Sequence, residues 1–328
     1  MSRHLGRRDF VAGSAAAVTM TAAARPSMGQ ALPSGTLRLL VGFPAGGGSD
    51  VMGRLIADKL RQRTGANVIV ENKTGASGMI AAEQLKNAPP DGTTVMFTPS
   101  ATLVARLTSE SVAFDPLKDF ATTGLVGTVQ TVFAVSPALG VSTFPEYLDW
   151  LKRNPGRASF GTTAMGSFTH FVGVMLGNAA GVKLEPVPYR GAAPLVADLS
   201  GGHIAAGCGG LTDFLEHHRA GKLRIVVAAG GQRPQAAPDI PTAREIGYKD
   251  ILIEGWYTFF VPAKTPKPII DVWNRELSAA VNEPAVRERL VTLGLDPQPG
   301  SPEAFAPRIE ADLGRWKQII DAIGYKPS

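Results

Sequence analysis

Three stretches of this 328-residue chain carry groups that could do chemistry, and each sits where a strand should hand over to a helix. The first is Phe43-Pro44-Ala45-Gly46-Gly47-Gly48-Ser49-Asp50, which follows the apolar run Leu39-Leu40-Val41. Three glycines ahead of helical spacing predict a turn where the backbone comes close to something, with Ser49 or Asp50 as helix cap. Free N–H groups and the positive end of a helix dipole suit such a turn to an anion. A Walker loop needs Gly-Lys-Ser/Thr after its glycines, and the dinucleotide spacing fails at Val51, so a carboxylate fits better than a phosphate. The bland alternative is a plain glycine turn. The second stretch, Thr162-Thr163-Ala164-Met165-Gly166-Ser167-Phe168-Thr169-His170, repeats this logic with hydroxyls. The third, Pro99-Ser100-Ala101-Thr102, reads as a loop at the end of strand Thr93–Thr98. Ligands of open α/β sheets gather outside the carboxyl ends of strands, so these corners could line one crevice.

The same residues allow an enzyme reading: Ser167, His170 and Asp213 as the triad of a secreted serine hydrolase. No G-x-S-x-G is present, and Ser167 and His170 lie three apart at a helix start, where capping is the ordinary explanation. Metal binding has less support. His217 and His218 are adjacent, so on a helix their rings diverge by about 100°. Arg190 could fork a carboxylate, although a surface ion pair is the commoner fate of such a residue. Trp256 and Tyr257 could wall a cleft or fill a core. The reading is therefore a non-enzyme without metal or cofactor.

What must position these corners is an alternation of short apolar strands and amphipathic helices from Leu37 onward, which predicts open, largely parallel sheets covered by helices. Length and a 44% hydrophobic content allow two lobes, each with its own core. Composition shifts after Asp115-Pro116-Leu117-Lys118-Asp119-Phe120, and the strand Leu125 to Ser136 is expected to cross to a second lobe. Ile251–Val261 returns the chain to the first. Helices Phe171–Ala180, Leu195–Ser200 and Leu211–Ala220 belong to the second lobe, and three helices close the chain. The expected division is 1–31 as export signal, 32–133 with 254–328 as the first lobe, and 134–253 as the second.

The signal is expected from Arg7-Arg8-Asp9-Phe10-Val11 and the alanine-rich run behind it, with cleavage near Ala31; the paired arginines fit the twin-arginine type. Four arginines against one aspartate leave with it, so of a formal +5 about +2 remains. No basic run with interleaved aromatics survives, and nucleic acid is an unsuitable partner. The only cysteine, Cys208, excludes an internal disulfide and a cysteine-based zinc site.

Taken in order, FPAGGGSD, ENKTGASGMIAAEQL, PPDGTTVMFT, ASFGTTAMGSFTHF, VPYRGAAPLVADLSGGHI, AGKLRIVVA and WYTFFVPAKTPKPIIDVWNRELSAAV resemble the Bug receptor family, the extracytoplasmic solute receptors of tripartite tricarboxylate transporters. The likeness spans essentially everything after the signal. It implies a two-lobed type II periplasmic-binding-protein fold, each lobe a mixed open sheet flanked by helices. It also implies no catalysis, a monomer in the periplasm, a small carboxylate held in the cleft, and delivery to a membrane permease or use in sensing. Carried over by motif, first-lobe contacts fall on Phe43, Pro44, Gly46, Gly47, Gly48, Ser100 and Ala101. Second-lobe contacts fall on Thr162, Thr163, Gly166, Ser167, His170 and Ala192. One departure is Asp213, where the family usually has small or apolar residues and proline; in the cleft it would repel a second carboxylate and welcome an amine or hydroxyl.

Overall fold

The computed structural model describes residues 31–109, 114–322 and 324–325; the expected export signal lies outside these apart from Ala31. The chain runs β1 (Thr36–Val41), α1 (Gly48–Thr64), β2 (Asn67–Asn72), α2 (Met79–Lys86), β3 (Thr94–Pro99), α3 (Ser100–Leu107) and β4 (Phe120–Val135). It continues with α4 (Phe144–Arg153), β5 (Ser159–Thr162), α5 (Phe168–Ala179), β6 (Glu185–Pro188), α6 (Ala192–Gly201), β7 (Ala206–Gly210), α7 (Leu211–Arg219) and β8 (Arg224–Ala228). It closes with β9 (Glu254–Pro262), α8 (Lys267–Asn282), α9 (Pro284–Thr292), β10 (Leu295–Pro297) and α10 (Pro302–Ala322).

Strand order is β2-β1-β3-β9-β4-β7-β5-β6, with β8 and β10 also pairing β4. β1 pairs β2 and β3 in parallel, while β9 enters antiparallel between β3 and β4. On the other side β5 pairs β6 and β7 in parallel, and β7 runs antiparallel to β4. The long β4 serves both halves. Phe120 to Gln130 pair β9, and Thr131 to Val135 pair β7.

Side chains alternate across each sheet, and both faces are covered, which is why the strands read as continuous apolar runs. On one face of β1, Leu37, Leu39 and Val41 pack with Met52, Ile56 and Leu60 of α1 and with Trp273 and Leu277 of α8. On the other, Leu40 packs with Met79 and Leu85 of α2 and Phe305 of α10. β4 repeats the pattern in its second half. Phe133 and Val135 face Phe144 and Tyr147 of α4 and Phe171 of α5, whereas Val132 and Ala134 face Leu195 of α6 and Phe214 of α7.

α10 ties the halves together. Its Phe305, Ile309 and Leu313 join the β1–β3 side, and its Trp316 and Ile320 join the core around α5. Trp316 stacks on Phe168 with ring centroids 4.3 Å apart.

Two expected boundaries are corrected. Pro99-Ser100-Ala101-Thr102 is not a loop: Pro99 is the cap and Ser100 opens α3 directly, because the fixed φ of proline ends the strand and sets the chain for a helix. α5 starts at Phe168 rather than Phe171, which moves Thr169 and His170 from loop to first helical turn.

Candidate functional site

Five of the strands that pair in parallel deliver the chain directly into a helix N-terminus. β1 leads to α1, β3 to α3, β5 to α5, β6 to α6 and β7 to α7. Their cap residues are Gly47, Pro99, Ser167, Gly191 and Gly210, and in none does a side chain accept from the first turn. α4, outside this set, shows the contrast: Thr143 accepts from the Glu146 N–H. Uncapped first turns leave N–H donors at the positive end of the helix dipole.

These corners meet in pairs. A Cβ at Gly48 would lie 3.0 Å from Thr212 Cβ and 3.4 Å from Asp213 Oδ1, so the start of α1 touches the start of α7. A Cβ at Gly255 would lie 3.2 Å from both Ser100 Oγ and the Phe168 ring, which places α3 against α5. Thr108, the residue that ends α3, shares its hydroxyl proton between Gly166 O at 3.0 Å and Ala105 O at 2.9 Å. Thr108→Val keeps the shape and loses that shared bond, and should cost about 1 kcal/mol in urea denaturation. Ala192 is the first residue of α6, and the neighbouring Gly191 N–H donates to Thr163 O at 3.2 Å.

The glycine corner holds its own acceptors. Gly46 has a φ of +82°, which turns its N–H back to Asp50 Oδ2 at 2.9 Å. Asp50 also receives Arg54 Nε at 3.0 Å and Asn72 Nδ2 at 2.8 Å. Gly47 N–H donates to Pro44 O at 3.2 Å. The expectation that Ser49 or Asp50 caps α1 is therefore corrected. Asp50 braces the loop ahead of the helix, and Ser49 Oγ sits 2.9 Å from Tyr257 Oη. Phe43 is half-buried, while Pro44 and Gly46 are exposed at the rim.

The second-half corner is a hydroxyl network centred on Thr169, a residue the sequence reading passed over. Thr169 Oγ1 lies 2.7 Å from Thr162 Oγ1, 3.1 Å from Thr163 Oγ1 and 2.9 Å from Ser167 Oγ. Ser167 donates to Ala164 O at 2.7 Å. His170 Nδ1 accepts from the Gly166 N–H at 3.2 Å, and burial depresses its pKa, so the ring is neutral at neutral pH. Ser100 Oγ accepts from Trp256 N–H at 3.2 Å, and Ala101 follows it half-buried.

The hydrolase constellation is not assembled. Ser167 is committed to Ala164 and Thr169, His170 to a backbone N–H, and Asp213 faces the glycine corner instead of the histidine. Arg190 is exposed, and Trp256 donates its indole N–H to Asp312 Oδ2 at 2.8 Å. Tyr257 is the aromatic that reaches the site: its ring is core and its hydroxyl meets Ser49. Among the described residues no cluster of three or more potential metal ligands occurs, and no helix is long and apolar enough to cross a membrane. Asp213 is half-buried, and burial pushes its carboxyl up to about 6 against the pull of the Gly48 N–H.

The sequence profile of the tripartite tricarboxylate transporter family receptor matches residues 52–325. The chain belongs to that family. This receptor is 30% identical to protein BugT of Bordetella pertussis over 305 residues, covering 92% of this chain and 94% of BugT. Its fold superposes on the periplasmic binding protein BugD with a TM-score of 0.81 at 29% identity, covering 90% of this chain and 99% of BugD. A protein of R. palustris solved with adipate gives a TM-score of 0.83 at 27% identity, over 89% of this chain and 98% of that one. The two-lobed binding-protein architecture expected from the sequence is thus the fold of this receptor.

Proposed function

We propose that this receptor captures a small carboxylate in the cleft between its halves and closes around it. The observation that carries the reading is the convergence of uncapped helix N-termini from both halves on facing corners. Preorganised amides suit a carboxylate without an arginine, because they supply donors and dipole at no side-chain entropy cost. Adipate, held by a structural relative, is a ligand of that class.

In this reading 32–133 with 254–328 form one lobe and 134–253 the other, and β4 with the segment entering β9 is the hinge. Phe43, Pro44, Gly46, Gly47, Gly48, Ser100 and Ala101 contact the ligand from the first lobe. Thr162, Thr163, Gly166, Ser167, His170, Ala192 and Asp213 do so from the second. The protein acts as a monomer in the periplasm, reached by a twin-arginine-type signal, has no catalytic role, and hands its ligand to a tripartite tricarboxylate-type permease. Closure follows only from the difference in affinity between open and closed states.

The test is thermal and calorimetric titration of the exported protein with a panel of carboxylates, aliphatic and aromatic. A true ligand at ten times its Kd should add about 1.4 kcal/mol of stability. Ester or amide turnover with no carboxylate response would reverse the reading.

A further inference from the structure

We infer that Asp213 gives the cleft a polarity, so that the ligand carries its carboxylate toward α3, α5 and α6 and an amine or hydroxyl toward the α1–α7 contact. This names the ligand class of the receptor reading above and rests on it. The class is an amino or hydroxy acid, as opposed to a simple dicarboxylate.

The two ends of the cleft differ in what they offer. At the α1–α7 end the glycine corner spends its amides internally, Gly46 on Asp50 and Gly47 on Pro44, and Gly48 faces the Asp213 carboxylate. That carboxylate lies between two glycines, since a Cβ at Gly210 would also stand 3.3 Å from its Oδ2. Among the described residues no lysine or arginine pairs with it, and the charge of Arg54 is already committed to Asp50. The neighbouring polar tips are the hydroxyls of Ser49, Thr212 and Tyr257, all neutral; the Tyr257 phenol is held protonated by burial and by Asp213 itself. An anion arriving here meets an uncompensated acid in a poorly solvated spot, and a donor or cation finds the partner that acid lacks.

Among the described residues no carboxylate takes part in the hydrogen bonds of the 162–170 corner. The 162–170 corner bonds among its own hydroxyls, Ala164 O, Thr108 and a neutral His170, and the first turns of α3, α5 and α6 are uncapped. Uncapped first turns thus lie at both ends and an acid without a cationic partner at only one, an asymmetry that matches a molecule that is itself polar head to tail.

The experiment is isothermal titration of the exported protein and its Asp213→Asn and Asp213→Glu variants against chain-matched acids. One set is butyrate, γ-hydroxybutyrate, γ-aminobutyrate and succinate; a second is the corresponding six-carbon set ending in adipate; a third is the aromatic counterparts. Mass spectrometry of the ligand that co-purifies with the native protein accompanies it. The amino or hydroxy member should bind about tenfold or more tighter than the dicarboxylate of its set. Asp213→Asn should erase or invert that order, and Asp213→Glu should keep it. A donor-free dicarboxylate that co-purifies, or binds wild type as tightly as its amino or hydroxy analogue, overturns the inference and leaves the receptor reading standing, as does an order unchanged in Asp213→Asn. Should no carboxylate bind or co-purify at all, the receptor reading fails and takes this one with it.

Discussion

Gly48→Leu should lower carboxylate affinity by about a hundredfold while the unliganded protein unfolds close to its native temperature. The Cβ of residue 48 would stand 3.0 Å from Thr212 Cβ and 3.1 Å from Thr212 Oγ1, and the rest of a leucine side chain has to go into the space Thr212 and Asp213 already fill. Overpacking of this kind costs about 1–3 kcal/mol, and the upper part of that range corresponds to the loss of affinity stated. Nothing else at the position resists the change. Gly48 opens α1, where leucine is the better helix former, and it is not among the glycines with positive φ. The contact exists only while α1 and α7 touch, so an open molecule is free of it, and the cost appears as a reduced fraction able to bind. Gly48→Ala should show a smaller loss of the same sign. Calorimetry gives the affinities, and small-angle scattering at saturating ligand should show the leucine variant wider than wild type. Native affinity in Gly48→Leu would mean that ligand binding does not bring these two helix starts together.

The strand-to-helix corners were legible because they need particular residues. An apolar run broken by Gly46, Gly47 and Gly48 and resumed at helical spacing has few other solutions. The Asp50 bond was not legible. A carboxylate at a helix start reads as a cap, and only the positive φ of Gly46 shows that its N–H turns back to be held from inside the helix. α3 was hidden for a similar reason: Pro99-Ser100-Ala101-Thr102 carries turn residues, yet it is largely buried at the end of the internal strand β3, and packing against β9 and α10 decides its state. Thr169 offered no signal apart from sitting among other hydroxyls, and its role appears only once α5 is seen to start before it. β10 is three residues long, too short for any period to show. The meeting of Gly48 with Thr212 and Asp213 joins distant parts of the chain, and no local pattern encodes it. Asp213 is visible in the sequence because it breaks the expected motif, and the fold sets it against Gly48.

That residue also sets the second large effect, a closed state favoured by acid. The Asp213 carboxyl is raised by burial to about 6 from an ordinary value of 3.8, and the Gly48 N–H only partly offsets this. Opening the cleft returns it to water. The closed state therefore holds the proton more tightly than the open one, so closure is most favourable below the ordinary carboxyl pKa. It weakens as pH rises from about 4, and the loss is complete above about 6. The full penalty is on the order of 3 kcal/mol, which is about a hundredfold in the ratio of closed to open molecules. The groups that face Asp213 at the α1–α7 contact do not titrate with it, and the Asp213→Asn variant separates its effect from that of His170, whose pKa burial lowers. Tyr257, facing from β9, has its phenol pushed up and stays neutral throughout, and at Asp50 on α1 burial is outweighed by Arg54, Gly46 and Asn72, which together hold its carboxyl below the ordinary range. A pair of fluorophores placed across the cleft should accordingly report an unliganded protein that opens as pH rises from about 4 to about 6, and an Asp213→Asn variant whose separation does not change. Equal opening in that variant would move the switch to another group. An amine on the ligand changes the balance: with a cation beside it, ionised Asp213 favours closure at neutral pH, and the acid that holds the empty receptor open becomes a reason for the filled one to shut.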